Sequence, residues 1–396
     1  MKHYTLFLFL LCAGALPAQP GLFSSQILGG SNTITPAAPF LLLTPDARSG
    51  ALGDCGAATS ADAFSMHWNP AKIAFAPGRF DFGIAYTPWL RALIPDVNLA
   101  YVSGFIRPRR IRGFENHKQA FCTSLRYFSL GNFTSVGPGA VGTSQYRPNC
   151  ISYDLGYVRK LSKNFSAGAA VRYVTLNLDI NQARTQNFAV DLSAYYRLDS
   201  LIGDRAHLGL GINISNLAPR YDRRTPATPE DFSPANLRLG ATLRTDEIGY
   251  NSFALSFDLN KLLVPSSPVY AIGANGNPQV NPATGQYVIV KGKQPGEHGI
   301  IGTFYDSPDG FEGELREITI GSGIEYWYNK TFAVRSGYFH EHEEYGNRQF
   351  VTLGAGIRYH IFGLDFAYLL PANRQRSPLE NTLRFSLFFR FQQLRA

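Results

Sequence analysis

Few residue clusters in the sequence could perform chemistry. The segment 340–344, His-Glu-His-Glu-Glu, is the one most similar to a metal site. On a strand, His340 and His342 would share a face, so both could reach one ion. No third ligand stands at a suitable spacing, and a solvated polar loop accounts for the same residues. We therefore predict no metal site there.

The sequence also lacks the signatures of an enzyme. It contains no Gly-x-Ser-x-Gly elbow, no His-Glu-x-x-His helix and no phosphate-binding loop. Several carboxylates fall within residues 306–317, but paired acid and base catalysis needs a cleft around them, and the sequence indicates none. We predict no catalytic residues and no cofactor.

Charge and cysteine content exclude two further classes. The net charge of +8 is scattered along the chain, without a basic tract interleaved with aromatic residues, so nucleic acid is not an expected partner. Cys55, Cys122 and Cys150 are the cysteines beyond the N-terminal region, and an odd number argues against a disulfide framework. We interpret all of them as structural thiols.

The N-terminal region has the layout of an export signal. Lys2 and His3 precede an apolar run over residues 6–16, and small residues follow up to Ala18. We predict a signal peptide over residues 1–18 and an exported protein. No later segment reaches the roughly 18 consecutive apolar residues of a membrane-spanning helix.

Beyond residue 79 the sequence alternates between apolar and polar residues. In the last such segment Leu383, Phe385 and Leu387 alternate with Arg384 and Ser386. Successive side chains of a strand point to opposite faces, so each segment predicts a strand with one apolar face. A soluble sandwich would show the same alternation. The predicted strands are residues 80–89, 97–106, 120–130, 151–159, 165–176, 188–197, 207–215, 235–245, 252–260, 318–328, 332–340, 351–359, 362–370 and 383–391.

The polar faces and the connection lengths favour a membrane barrel. Charges of both signs can pair inside a lumen, whereas each would cost about 2–4 kcal/mol against lipid at mid-bilayer. Long and short connections alternate, as long extracellular loops and short periplasmic turns predict, although residues 107–119 break the rule. We predict an all-β fold, a fourteen-stranded antiparallel transmembrane β-barrel over residues 80–396 in contact with outer-membrane lipid. The predicted lumen-facing charges are Arg126, Arg172, Asp191, Arg238, Glu325, Arg335, Arg358 and Arg384.

Residues 19–79 do not read as strands. They are rich in Gly, Ala, Pro and Ser, yet Phe64, Trp68 and Phe75 need somewhere to pack. We predict that this segment is a hatch, or plug, inside the lumen rather than a flexible periplasmic tail. The hatch motif is Trp68-Asn69-Pro70-Ala71, in which Asn-Pro favours a turn and small neighbours permit close packing.

This motif, preceded by Asp62-Ala63-Phe64, resembles the hatch of the FadL family. That family comprises fourteen-stranded outer-membrane transporters of hydrophobic compounds with an N-terminal plug; Lys72 replaces a glycine common there. A closer resemblance is to the PorV family, outer-membrane barrels of the Bacteroidetes type IX secretion system. It is carried by PFLLLTPDARSG (39–50), HWNPAK (67–72), YTPWL (86–90), LRYFSLG (125–131), DLNKLLVP (258–265), EYWYN (325–329) and GYFHE (337–341), whereas residues 270–290 do not match.

The resemblance to PorV implies a carrier rather than a conduit. Members are expected to take cargo bearing a conserved C-terminal domain from an SprA-type translocon and to present it to an attachment complex with a PorU-type sortase. The longest loop, residues 261–317, is then the leading surface for partners, with Phe304, Tyr305, Phe311 and Leu315 as candidate contacts. The alternative is a FadL-like transporter of hydrophobic small molecules, which the polar inward faces disfavour.

Overall fold

A computed structural model describes residue 34 and residues 36–89, 96–108, 118–136, 143–178, 184–199, 201, 205–221, 232–266, 269–271, 279–281, 288–291, 299–372 and 382–391. The predicted signal peptide, the first residues of the predicted hatch and most of the basic segment 107–119 lie outside these residues. None of the described helices combines the length and the apolar character needed to cross a membrane.

Strands dominate the described residues, and we number them in chain order. Two hairpins in connecting segments are formed by β4 (Phe133–Val136) with β5 (Thr143–Tyr146) and by β12 (Val269–Tyr270) with β13 (Ile289–Lys291). The other strands are β1 (Phe80–Pro88), β2 (Val97–Ile106), β3 (Gln119–Leu130), β6 (Asn149–Lys160), β7 (Phe165–Asn177), β8 (Thr185–Leu198), β9 (Ala206–Leu217), β10 (Asn236–Thr245), β11 (Asn251–Leu262), β14 (Ile318–Tyr328), β15 (Phe332–His340), β16 (Gln349–Tyr359), β17 (Phe362–Pro371) and β18 (Leu383–Phe391).

These fourteen longer strands form one closed antiparallel barrel. Each pairs with its neighbours in the chain, and the first and last close the sheet, with Phe80 opposite Phe391 and Tyr86 opposite Phe385. Closure leaves no unpaired edge in the wall. The predicted fold class is therefore confirmed, and each predicted strand overlaps one barrel strand. The two hairpins were not predicted, because their segments lack a clear alternation.

Several strands are longer than the sequence pattern indicates. The prediction begins β8 at residue 188, whereas the strand begins at Thr185. Polar residues 185–187 continue the ladder with β7, where Thr185 lies opposite Leu176. Backbone hydrogen bonds extend a strand without regard to side-chain polarity, so an alternation pattern alone ends it too early.

The two faces of the wall differ in polarity. On β11, the side chains of Phe253, Leu255 and Phe257 are exposed on the outside of the barrel. Ser256 and Asp258 on the same strand are buried inside. An apolar outer band over a polar interior is the arrangement that a lipid bilayer covers.

Residues 36–79 occupy the lumen, and we call them the hatch. Their helices are short: Pro39–Leu42 and Pro70–Phe75 are 3-10 helices, and Ala47–Gly50 and Ser65–Trp68 are single α-helical turns. Ala47–Gly50 packs on β16, β17 and β18, whereas Pro70–Phe75 packs on β3, β6, β7 and β8. These groups of strands lie on opposite sides of the barrel, so the hatch spans the lumen.

The rims of the barrel differ in their connections. At one rim, residues 329–331 join β14 to β15 and residues 360–361 join β16 to β17; we call it the short-turn rim. Asn329 and Lys330 both have a φ of 50°, the left-handed backbone that tight hairpin turns need. The opposite, long-loop rim carries the described part of the connection between β11 and β14, including helices Gly299–Gly302 and Gly310–Arg316.

Candidate functional site

The hatch motif is buried and bonded to both the hatch and the wall. The indole Nε1 of Trp68 donates a hydrogen bond to Asp46 Oδ1 at 2.6 Å. Asn69 Nδ2 donates to Ala57 O at 2.9 Å and to Ala194 O of β8 at 3.0 Å. One amide group thus connects two hatch segments and the barrel wall.

The same motif begins the Pro70–Phe75 helix. Asn69 Oδ1 accepts the N–H of Ala71 at 3.0 Å, which makes it the N-cap. Pro70 occupies the first helical position, where no backbone donor is needed. The carbonyl of Ala71 accepts from Ser166 Oγ of β7 at 2.7 Å. The motif therefore starts the helix and fixes it to the wall.

Half of the predicted lumen charges contact the hatch, and two of these are arginines bound to hatch oxygens. Arg126 Nη1 donates to Phe40 O at 2.9 Å and to Leu41 O at 2.8 Å. Arg384 Nη1 donates to Asp54 Oδ1 at 3.2 Å. Each of these hydrogen bonds joins a side chain of the barrel wall to a segment of the hatch.

The other two predicted lumen charges that contact the hatch are Arg238, which contacts Trp68, and Glu325, which contacts Arg48. The guanidinium of Arg238 lies 4.5 Å from the centre of the Trp68 ring, within cation–π distance. Glu325 accepts from Arg48 Nε at 2.9 Å and from Arg48 Nη2 at 2.8 Å. A bidentate arginine–carboxylate pair is among the strongest polar contacts in proteins.

Arg48 is fully bonded inside the lumen. Besides Glu325, its Nη1 donates to Asp62 Oδ2 at 2.9 Å and to Ser60 O at 3.0 Å, and its Nη2 donates to Ser60 Oγ at 2.8 Å. These bonds use all the N–H donors of a guanidinium. Burial lowers the pKa of Arg48, but the carboxylates of Glu325 and Asp62 outweigh it and raise the pKa well above its usual value.

An alternating row of charges extends this contact into the wall, and we call it the interior ion chain. Arg335 Nε donates to Glu325 at 2.7 Å, and Arg335 Nη1 donates to Asp365 at 2.8 Å. Arg358 Nη2 donates to the same Asp365 at 2.8 Å. The chain therefore runs from Arg48 of the hatch through β14, β15, β17 and β16.

The remaining predicted charges, Arg172 and Asp191, pair within the wall. Arg172 Nε donates to Asp154 Oδ1 at 2.7 Å, and Arg172 Nη2 donates to Asp191 Oδ2 at 2.9 Å. Asp191 Oδ1 also accepts the backbone N–H of Asn216 at 2.7 Å. These pairs join three neighbouring strands, β6, β7 and β8, inside the barrel.

Sequence reasoning missed the buried charges of the hatch itself. Lys72, the departure from the FadL motif, donates to Gly56 O at 2.6 Å and to Thr59 Oγ1 at 3.0 Å, and burial lowers its pKa to about 8. Burial, followed by the charge of Arg126, lowers the pKa of His67 well below its usual value. The available signal was the presence of charged residues in a segment otherwise built from small and apolar ones.

The predicted partner contacts lie on residues 299–317 of the long-loop rim, which we call the cap. Phe304, Tyr305, Phe311 and Leu315 are 46%, 50%, 78% and 51% exposed. Phe311 and Leu315 are four residues apart and share one face of the Gly310–Arg316 helix. The buried side chain of this helix is Glu314. This is the reverse of an ordinary surface helix, which buries its apolar face.

Charged groups hold the cap on the barrel. Lys261 Nζ, on β11, forms ion pairs with Glu314 at 2.8 Å and Glu317 at 2.5 Å. The backbone N–H of Ser307 donates to Glu314 Oε1 at 2.8 Å, and the Ser307 hydroxyl lies 3.2 Å from Tyr345 OH. Polar contacts therefore fix the inner side of the cap and leave its apolar side chains on the surface.

Two acidic clusters bear on metal binding. Oxygens of Asp306, Glu314 and Glu317 lie within 4.8 Å of one another, but the Lys261 ammonium already bonds two of these carboxylates. In the segment 340–344, Glu341 pairs with Arg348 at 2.7 Å. Among the described residues, the histidines of that segment belong to no metal-sized cluster. In the first cluster, the Lys261 ammonium therefore supplies the positive charge that a metal ion would bring.

A closed barrel of fourteen strands, apolar outside and filled by its own N-terminal segment, defines a plugged outer-membrane-type β-barrel protein. The family model described as "Type IX secretion system protein PorV" matches residues 28–269, more than half of the chain. The chain belongs to the PorV family.

Solved structures with a similar fold include the toluene transporter TodX of P. putida. It is 12% identical, with 87% of this chain and 98% of that chain covered and a TM-score of 0.49. A FadL homologue of Pseudomonas aeruginosa is 12% identical, with 91% and 100% covered and a TM-score of 0.46. Among curated proteins, none matches the chain significantly.

Proposed function

We propose that this PorV-family barrel is a carrier of cargo in the type IX secretion system. It receives secreted proteins with a conserved C-terminal domain from an SprA-type translocon and delivers them to an attachment complex with a PorU-type sortase. A signal peptide over residues 1–18 exports the protein, and the long-loop rim faces the outside of the cell. In this role the protein binds its partners and catalyses no reaction.

The filled lumen supports a carrier rather than a channel. Folded cargo could pass only after the hatch had left. That departure would separate Arg48 from Glu325 and Arg126 from the carbonyls of residues 40 and 41. Separating one buried ion pair costs about 3–5 kcal/mol when its charges are left without partners. The closed hatch is therefore the stable state.

The exposed apolar face of the cap is the observation that carries the proposal. Contiguous apolar patches on a water-facing surface mark sites of protein contact. The cap lies above the apolar wall, on the long-loop rim, so lipid does not account for its exposure. The apolar side chains concerned are Ile300, Ile301, Phe304, Tyr305, Phe311 and Leu315.

Site-specific photo-crosslinking tests this surface in cells that contain the rest of the secretion system. A photoreactive phenylalanine at position 311 or 315 should form adducts with proteins bearing the C-terminal domain and with the translocon. Leu161, at the short-turn rim, is exposed to a similar degree and is the matched control position. Adducts that form equally at position 161 would refute a docking role for the cap.

A substitution experiment tests whether the surface is needed for delivery. Phe311→Ser combined with Leu315→Ser removes apolar surface without touching the Lys261 ion pairs beneath it. We expect less cargo at the cell surface and an unchanged amount of folded barrel, whereas Leu161→Ser should change neither. Normal cargo attachment in the double variant would contradict the proposal.

The alternative function is FadL-like transport of hydrophobic small molecules. It predicts that loss of the protein impairs uptake of hydrophobic compounds and leaves cargo secretion intact. The proposed carrier role predicts the opposite pattern, so measuring uptake and secretion in one deletion strain separates the two.

A further inference from the structure

A cavity of about 580 Å³ lies between the hatch and the short-turn rim. The turn residues Lys330, His360 and Ile361 line it at the rim, and Arg48 and Lys72 line it on the hatch side. Its volume falls within the range of roughly 300–1,000 Å³ that is usual for small-molecule sites. The cavity lies at the opposite rim from the cap, so it is separate from the proposed cargo surface.

The charge of the cavity wall is strongly one-sided. Seven Arg and Lys side chains line it, against one carboxylate, that of Asp62. Two of the lining arginines pair with carboxylates that do not line the cavity. Arg197 pairs with Asp199 at 2.7 Å, and Arg358 pairs with Asp365 at 2.8 Å. In each pair the guanidinium therefore faces the cavity and the carboxylate does not. A concave site lined by one sign of charge concentrates ligands of the opposite sign.

The cationic side chains of the cavity differ in how many of their N–H donors remain without a hydrogen-bond partner. Arg48 has none, because every N–H is bonded to the hatch or to Glu325. Arg390 donates from Nε to Asp81 at 3.0 Å, and its Nη groups bond no other described residue. Arg244 is exposed, and its side chain makes no hydrogen bond or ion pair with any residue in the described part of the chain. An unpaired guanidinium offers a planar fork of donors that matches a phosphate bidentately.

Aromatic rings form the other part of the wall. The guanidinium of Arg358 lies 4.3 Å from the ring centre of Phe388 and 4.9 Å from that of Trp327. Arg244 lies opposite Ala254, which lies opposite Glu325, two residues before Trp327. Arg244 and Trp327 therefore project from the same wall, two strands and two residues apart, roughly 12 Å at the usual strand and residue spacings. An anionic group and an apolar group of one ligand can be bound together over that distance.

We propose that this cavity binds a phosphate ester that carries an apolar part, with the phosphate at Arg244 and the apolar part against Trp327 and Phe388. Phosphate suits the excess of cations better than a single carboxylate, since it bears up to two negative charges and more acceptor oxygens. Such a group comes either from a phospholipid headgroup or from a free phosphorylated compound, and both have the chemistry that Arg244 recognises.

Binding measurements on the full-length protein in an uncharged detergent test this site. The probes are inorganic phosphate, short-chain phosphatidic acid and, as a lipid without a phosphomonoester, short-chain diacylglycerol. Titration calorimetry measures the affinity, and tryptophan fluorescence gives a second readout, because Trp327 lines the cavity whereas Trp68 and Trp89 are buried elsewhere. Arg244→Gln should weaken binding of the phosphate probes about tenfold or more, the effect of losing a charge-assisted pair.

Matched variants make the result decisive. Arg159 is exposed at the end of β6, at the same rim but outside the cavity, so Arg159→Gln should leave affinity unchanged. Phosphatidic acid binding without inorganic phosphate binding identifies a lipid headgroup, and binding of both identifies a free phosphate compound. Failure of both phosphate probes to bind, equal loss in both variants, or unchanged affinity in Arg244→Gln would overturn the proposal. The Arg244 side chain forms no hydrogen bond or ion pair with the described residues, so its substitution removes none of these bonds from the fold.

Discussion

Replacing Glu325 by glutamine should loosen the hatch while the barrel stays closed. Glu325 accepts two bonds from Arg48 and one from Arg335, and all of these side chains are buried. Glutamine keeps the size of the side chain and one acceptor oxygen but removes the negative charge. Asp62 is then the remaining carboxylate partner of Arg48, and Asp365 is that of Arg335.

The size of the effect follows from these contacts. Removing one partner of a buried ion pair costs about 3–5 kcal/mol. Because each arginine retains one carboxylate, at 2.9 Å for Arg48 and 2.8 Å for Arg335, we expect the lower end, about 3 kcal/mol. The backbone ladders of the wall are unchanged, so the cost falls mainly on the seated hatch. At 1.4 kcal/mol per factor of ten, the open fraction should rise about 100-fold.

Labelling of Cys55 measures that fraction. Cys55 is a fully buried hatch residue whose Sγ lies 4.0 Å from Ser256 O, so a bulky maleimide reaches it only when the hatch opens. In a background where Cys12, Cys122 and Cys150 are alanine, the labelling rate is proportional to the open fraction when opening is fast and reversible. The rate should rise about 100-fold in Glu325→Gln.

Glu247→Gln is the matched control. Glu247 pairs with Lys330 at 2.7 Å on the surface, where an ion pair contributes at most about 1 kcal/mol. Its labelling rate should therefore stay within about fivefold of the unsubstituted chain. If Glu325→Gln also stays within that limit while the barrel remains folded, the interior ion chain does not hold the hatch, and our reasoning is wrong.

Three further predictions concern the hatch and the cap. Trp68→Phe removes the indole donor to buried Asp46 and should favour hatch opening by about 1–3 kcal/mol, seen as faster Cys55 labelling. Gly56→Ala would drive a Cβ into the Trp68 ring, and this overpacking should destabilise the seated hatch by about 1–3 kcal/mol, measured as a lower urea midpoint of hatch release. Burial raises the pKa of Glu317 above its ordinary 4.5 and outweighs the opposing effect of the Lys261 ammonium, so the folded cap binds a proton more tightly than the unfolded one. The stability that results is present at low pH and lost as pH rises through the folded-state pKa. Hydrogen exchange in the cap helix, corrected for intrinsic rates, should therefore be slower at about pH 5 than at about pH 7; faster exchange at the lower pH would contradict this sign.

The sequence by itself determined the barrel and its number of strands. The alternation of Phe385 and Leu387 with Arg384 and Ser386 is a local property, because a strand turns successive side chains to opposite faces whatever its neighbours are. Repeated fourteen times with alternating long and short connections, that pattern allows few other folds. The residues before position 80 lack that alternation, which is why we predict a separate hatch there.

Only the tertiary structure decided which groups meet inside and above the barrel. Arg48 pairs with Glu325, 277 positions away in the chain, and no local pattern encodes that contact. The cap shows the same limit, since its sequence does not reveal that Glu314 turns inward to Lys261 while Phe311 turns outward. An ion pair forms where closure of the barrel removes water and brings opposite charges together, so its partner depends on the complete fold.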